Sequence, residues 1–159
     1  MKFRIFLISL LLMLPLGLKA QSLPVVDLVD AEGKTVSTTS LINHKEPFAI
    51  TFWASWCKFC IEELEAITDM SADWKKPVRI YAVCEDDARS VSRAKVMASS
   101  SEWPATVLYD TNSKLSRELN VSSIPHAFVF DKDGKLIYSH LGYIPGDEEE
   151  LINKILEAK

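Results

Sequence analysis

Three cysteines and three histidines are all that the 159-residue chain offers for binding a soft metal. A structural zinc site needs four ligands, commonly a second Cys-x-x-Cys or a closely spaced His pair. Cys84, His44, His126 and His140 stand isolated from one another, so neither pattern is present and no metal site is expected. No apolar run reaches the ~20 residues needed to span a bilayer; the stretch Ile5 to Leu18 falls short. Positive charge is in deficit, with 18 Lys and Arg against 22 Asp and Glu, a net charge of −4. That balance argues against nucleic acid or an anionic membrane surface as the main partner. Repeats, low-complexity tracts and interdomain linkers are also missing, which leaves one domain with length enough for a sizeable core.

The chain does carry a leader pattern. Lys2 and Arg4 precede the apolar stretch, which ends in Pro15, Gly17, Lys19 and Ala20. A short basic region, a brief apolar segment and a small residue describe a secretory signal peptide, here residues 1–20, with the mature domain at 21–159. Its removal takes away Lys2, Arg4 and Lys19 and no acid, so the net charge falls from −4 to −7. An uncleaved leader would instead tether the domain to the membrane. No cysteine lies near the cleavage site, which argues against a lipid anchor.

Trp56-Cys57-Lys58-Phe59-Cys60 follows the apolar run Phe48–Trp53 and opens a helical pattern. The first turn of a helix presents unpaired N–H groups and the positive end of the dipole, and both favour a thiolate. A second cysteine one turn on lies on the same face and can close a small disulfide ring. Attack by one sulfur and resolution by the other is thiol–disulfide exchange. Half a zinc site and a structural staple are the competing readings. A bridge closing so small a loop constrains the unfolded chain little, which weakens the second.

Around this motif the elements read as follows. Val25–Val29 and Thr35–Ser37 flank a turn at Gly33, and Thr38–Asn43 suits one helical turn. Pro47–Trp53 reads as a buried strand, and Cys57 to about Met70 as a helix with apolar positions Cys60, Ile61, Leu64, Ile67 and Met70. Val78–Cys84 is a strand, and Glu85-Asp86-Asp87 suits the start of a helix over Ala88–Ser99. A strand at Ala105–Tyr109, a helix at Asn112–Leu119, a hairpin of Ala127–Phe130 with Leu136–His140, and a helix at Asp147–Ala158 complete the chain. The order predicts an α/β sandwich, a mixed central sheet flanked by helices, with an N-terminal β-hairpin extension.

Phe52-Trp53-Ala54-Ser55-Trp56-Cys57-x-x-Cys60 resembles the active-site segment of the thioredoxin superfamily, and Ser123-Ile124-Pro125 resembles its cis-proline loop. The leading hairpin, the signal peptide and Glu63 point to the exported TlpA-like and ResA-like branch, over roughly residues 23–157. The resemblance implies that Cys57 is the exposed nucleophile and Cys60 the buried resolving thiol. It also implies that Pro125 is cis, leaving the Ile124 backbone free to pair with an extended substrate beside Cys57. Trp53 and Trp56 are expected to pack around the site, with Trp56 meeting substrate.

Departures from the family pattern are informative. Thioredoxins carry a buried aspartate six residues before the first cysteine, and here that position is Thr51, which cannot act as a base. The TlpA-like branch places a glutamate three residues after the second cysteine, here Glu63. Spacing i, i+3 puts Glu63 on the Cys60 side of the helix, where burial would raise its pKa and let it relay a proton. A solvated first-turn acid is the plainer alternative. Lys58 should favour the Cys57 thiolate and a more oxidising disulfide, Phe59 offers an apolar partner contact, and His126 could tune Cys57. Cys84 reads as a buried reduced thiol or as a third redox cysteine.

The function expected from these residues is an exported, periplasmic or otherwise extracytoplasmic, thiol–disulfide oxidoreductase, acting as a monomer. It would reduce disulfides in other exported proteins, such as apocytochromes c awaiting haem. The cysteine pair would carry the electrons with no separate cofactor, and a membrane thiol donor would re-reduce it. The alternatives are a disulfide oxidase or isomerase, and a non-catalytic binding module or metal chaperone. A peroxidase is disfavoured because Ala54 stands where that family has threonine, and the copper-delivery spacing Cys-x-x-x-Cys is not matched.

Overall fold

Near-continuous apolar residues from Phe48 to Trp53 demand a strand covered on both faces, and that strand is the centre of the fold. The computed structural model describes residues 21–159; the signal-peptide expectation for residues 1–20 lies outside them. In chain order the elements are β1 (Asp27–Val29), β2 (Thr35–Ser37), α1 (Thr39–Ile42), β3 (Phe48–Trp53), α2 (Lys58–Ser71) and β4 (Ile80–Cys84). There follow α3 (Val91–Ser100), β5 (Thr106–Tyr109), α4 (Lys114–Glu118), β6 (His126–Phe130), β7 (Leu136–Leu141) and α5 (Asp147–Glu157). The seven strands form one sheet in the order β2-β1-β5-β4-β3-β6-β7. β3 runs parallel to β4 and β4 to β5, while β1, β6 and β7 join antiparallel, so the sheet is mixed as expected.

The crossovers β3-α2-β4 and β4-α3-β5 step the same way along the sheet, so right-handed connections place α2 and α3 on one face. Trp53, Leu64, Ala82, Cys84 and Ala94 pack together there. α5 covers the same face further along, with Leu151, Ile152 and Ile155 against Ile67, Ala127 and Val129. Phe48, Ile50, Phe52, Phe128 and Phe130 fill the other face under Leu41, Leu115 and Leu119. Each such side chain contributes about 1.5–3 kcal/mol by leaving water.

Several boundaries move for identifiable reasons. The helix expected from Ala88 begins at Val91 because Asp87 Oδ1 accepts from the Arg89 and Ser90 N–H groups and from Ser90 Oγ, which fixes a turn ahead of it. The helix expected from Asn112 begins at Lys114, since buried Asp110 accepts from Lys114 N and Ser116 N. The leading hairpin turns at Gly33 (φ 85°) and joins the sheet through the single register pair Val29 and Tyr109. At the β6–β7 turn, Gly134 has φ 77°, and a Cβ there would lie 2.6 Å from Ile42 Cδ1.

Candidate active site

β3 ends in the turn Ala54–Cys57, closed by Cys57 N donating to Ala54 O (3.0 Å), and α2 starts immediately after it. Cys57 is the N-cap, with extended backbone (φ −91°, ψ 98°), and its Sγ accepts from Cys60 N at 3.2 Å. Cys57 and Cys60 form a disulfide with an S–S distance of 2.05 Å. The helix N-terminus therefore sits where a Cys57 thiolate would develop on reduction.

Exposure differs from the expectation. Cys60 is fully covered, but Cys57 is itself only 7 % exposed, because in the disulfide it joins the apolar cluster of Trp53, Ala54, Cys60 and Leu64. Trp56 does not pack around the site: it is 65 % exposed, pointing out of the turn, while Trp53 is buried edge-on against Trp103 with ring centroids 4.9 Å apart. Phe59, on the outer side of the first turn, is 58 % exposed. The Ile124–Pro125 bond is cis, Pro125 O accepts from Gly142 N at 2.8 Å, and Ile124 packs against the cluster that holds Cys57 and Cys60.

Glu63 is buried, at 2 % exposure, one turn below Cys60. Its Oε2 accepts from Thr51 Oγ1 at 2.7 Å. Burial pushes its pKa up to about 7; the Thr51 hydrogen bond opposes this, and the carboxylates of Asp147 and Glu148 add to it. A carboxyl that titrates near neutrality beside a buried thiol can take or return a proton. Thr51, unable to act as a base, thus holds the group that can.

The remaining sequence-derived residues sit as follows. Lys58 Nζ pairs with Glu62 Oε1 at 3.1 Å, so its charge is shared within α2 and no longer directed at Cys57 alone. His126 pairs in register with Phe52 and stacks on Phe128 (centroids 4.2 Å), on the sheet face opposite Thr51 and Glu63. Burial and the neighbouring His140 lower its pKa. Cys84 is a buried free thiol at the end of β4, and burial pushes its pKa up.

One contact set was not foreseen. Asp86, read in the sequence as a helix-start acid, is buried and accepts from Ser55 N (2.7 Å), Ser55 Oγ (2.8 Å) and Cys84 Sγ (3.3 Å). Arg93 Nη2 donates to Ser55 O at 3.1 Å. The signal was the middle position of Glu85-Asp86-Asp87 directly after a strand whose end faces the cysteine motif.

A redox-active Cys-x-x-Cys at a helix N-terminus, a cis-proline loop beside it and this mixed sheet define a thioredoxin-like thiol–disulfide oxidoreductase. The chain belongs to the Redoxin family, whose model matches residues 18–156. It is 29 % identical over 128 residues to the thiol-disulfide oxidoreductase ResA of a Bacillus cereus strain, covering 80 % of this chain and 70 % of that one. A solution structure of an uncharacterized thioredoxin-like protein from Porphyromonas gingivalis is 43 % identical, with TM-score 0.73 over 86 % of this chain and 90 % of that one. The crystal structure of a putative thiol:disulfide interchange protein DsbE from Chlorobium tepidum is 27 % identical, with TM-score 0.72 over 88 % and 96 % of the two chains. These relationships place the chain in the TlpA/ResA-like part of the thioredoxin superfamily and imply disulfide-bearing protein substrates.

Proposed function

We propose that this protein is an extracytoplasmic reductant of disulfides in exported proteins, of the kind that keeps apocytochrome c cysteines reduced for haem attachment. Glu63 carries the reading. A Cys57 thiolate attacks a substrate disulfide, forming a mixed disulfide and releasing one substrate thiolate. Cys60 then gives its proton to the Glu63 carboxylate and attacks Cys57 Sγ, which releases the second substrate thiolate. Two electrons pass from the dithiol to the substrate, and the Cys57–Cys60 disulfide is left. A group titrating at about 7 is matched to that proton transfer at neutral pH.

Substrate would lie along the Ile124 backbone, between the cis-proline loop and the exposed rings of Trp56 and Phe59. Export rests on the leader pattern; among the described residues no helix is long and apolar enough to cross a membrane. Re-reduction by a membrane thiol donor, action as a monomer and the absence of a separate cofactor belong to the same proposal.

The test is the reduction potential of the Cys57–Cys60 pair, together with reduction of insulin and of a Cys-x-x-Cys-His peptide. A potential near or below about −270 mV supports a reductant, and one near about −120 mV assigns the protein to oxidation or isomerisation. Full activity in Cys57→Ser would sink the exchange mechanism. Capture of substrate as a mixed disulfide by Cys60→Ser is the expected companion result.

A further inference from the structure

Every polar backbone and side-chain atom of Ser55 is held by a charged group from the β4–α3 segment. The Asp86 carboxylate grips Ser55 N at 2.7 Å with one oxygen and Ser55 Oγ at 2.8 Å with the other, while the Arg93 guanidinium donates to Ser55 O at 3.1 Å. Ser55 lies two residues before Cys57, inside the turn that Cys57 N closes on Ala54 O. From behind, the Cys84 thiol donates to Asp86 Oδ2 at 3.3 Å and accepts from Asp86 N at 3.4 Å. Glu85 N, one residue earlier, bonds Trp53 O at 2.8 Å and fixes the height of this segment against β3.

We propose that Asp86 is a positioning and tuning residue of the redox site: it clamps Ser55, and with Arg93 acting on the same residue in the opposite sense it sets how readily Cys57 ionises. A turn needs hydrogen bonds to hold its shape, but it does not need a buried charge, and a neutral amide would fit the same place. Burial alone would favour the protonated acid, yet the donors from Ser55 and Cys84 hold the Asp86 carboxyl below its ordinary value, so it is charged at neutral pH. A negative charge beside the turn disfavours the Cys57 thiolate and hence the dithiol form. The disulfide then becomes the better-stabilised state, and the dithiol the stronger reductant. Arg93 opposes this from the solvent side. The other charges around the site are Glu63 beneath Cys60, the Lys58–Glu62 pair on α2, Glu85 beside Asp86, and His126 after the cis-proline. The proposal rests on the oxidoreductase reading and adds which residues set its driving force.

The test separates charge from geometry. In Asp86→Asn the amide oxygen can still accept from Ser55 N and Cys84 Sγ, and the amide nitrogen can donate to Ser55 Oγ, so the clamp persists and the charge goes. Arg93→Met removes the opposing charge from an exposed side chain. Two readouts on the reduced and redox-buffered protein are the pH midpoint of Cys57 alkylation and the dithiol–disulfide equilibrium at pH 9. Asp86→Asn should lower the midpoint by about one pH unit and move the equilibrium about tenfold toward dithiol, equivalent to about 30 mV. Arg93→Met should move both in the opposite direction. A merely structural clamp would leave Asp86→Asn unmoved, and any loosening of the turn in the two variants would shift both the same way. Shifts of the same sign, or an Asp86→Asn variant within about twofold of wild type, overturn the proposal. Should Asp86→Asn not fold, Arg93→Met decides: a raised midpoint supports the proposal, and an unchanged or lowered one overturns it. A wild-type protein without a reversible Cys57–Cys60 pair overturns the redox reading as well, whereas a reversible pair with unmoved variants overturns this inference alone.

Discussion

Thr51 Oγ1 donates to Glu63 Oε2 at 2.7 Å, so the strand that delivers the cysteines and the helix that carries them share one buried hydrogen bond. That bond satisfies a carboxyl group that the interior would otherwise reject. It also makes the site's proton chemistry measurable from outside.

Glu63 should make the fold sensitive to pH. Its folded pKa of about 7 lies above its unfolded value of 4.5, so the folded state binds the extra proton between those limits. The stability it contributes is therefore complete below pH 4.5 and lost as pH rises through about 7. The loss is about 3 kcal/mol at 1.36 kcal/mol per pH unit. Urea unfolding of wild type and Glu63→Gln at several pH values should show their difference changing by about that amount, with wild type relatively weaker at pH 8. A constant difference would show that Glu63 does not titrate in this window.

Thr51→Val keeps the side-chain shape and removes the donor. The Glu63 pKa should rise further, since the hydrogen bond that favours its charged form is gone. The acid limb of the disulfide-reduction profile, set by ionisation of the carboxylate that takes the Cys60 proton, should move up with it. At pH 8 the variant should lose about 1–3 kcal/mol, the cost of an unsatisfied buried group. An unmoved pH profile would detach Glu63 from turnover.

Trp56 and Phe59 are exposed aromatic side chains on either side of Cys57, and their burial contributes little to the fold. Alanine at either position should leave stability within about 0.5 kcal/mol. The same variants should raise KM for protein disulfides and leave the reduction of a small disulfide unchanged. Equal losses on both substrates would refute a docking role.

Gly134 combines a positive φ of 77° with the nearby Ile42 Cδ1. Gly134→Ala should destabilise by more than about 1 kcal/mol, read as a lower thermal midpoint with exchange chemistry intact. An unchanged midpoint would mean that the turn relaxes freely.

Local sequence carried much of this fold. The buried run Phe48–Trp53, the spacing Cys60, Leu64, Ile67 and the turn residues Gly33 and Gly134 are short-range signals, and each element appears close to where they put it. The Cys57–Cys60 pair was legible from its spacing at the start of a helix, and Glu63 from the resemblance to the TlpA-like branch, with which its i, i+3 spacing from Cys60 agrees. What stayed hidden depends on contacts across the sheet. Asp86 reaches Ser55 over 31 positions of sequence, and no periodicity reports a carboxylate turned inward from the end of a neighbouring strand. The outward turn of Trp56 and the covering of Cys57 are likewise settled by packing around the disulfide.

The path by which the chain enters the domain has an orientational consequence. Leu136 N donates to Gln21 O, and Leu23 N to Gly134 O, so the first described residues lie against the start of β7. Phe48 at the start of β3 pairs with Phe130, whereas Phe52 near its end pairs with His126, and His126 with Leu141. Gln21 thus sits at one pole of the sheet and the cysteines at the other, about 20 Å apart along β3. Any tether attached ahead of Gln21 would hold the domain by its back and present Cys57 away from the surface it hangs from.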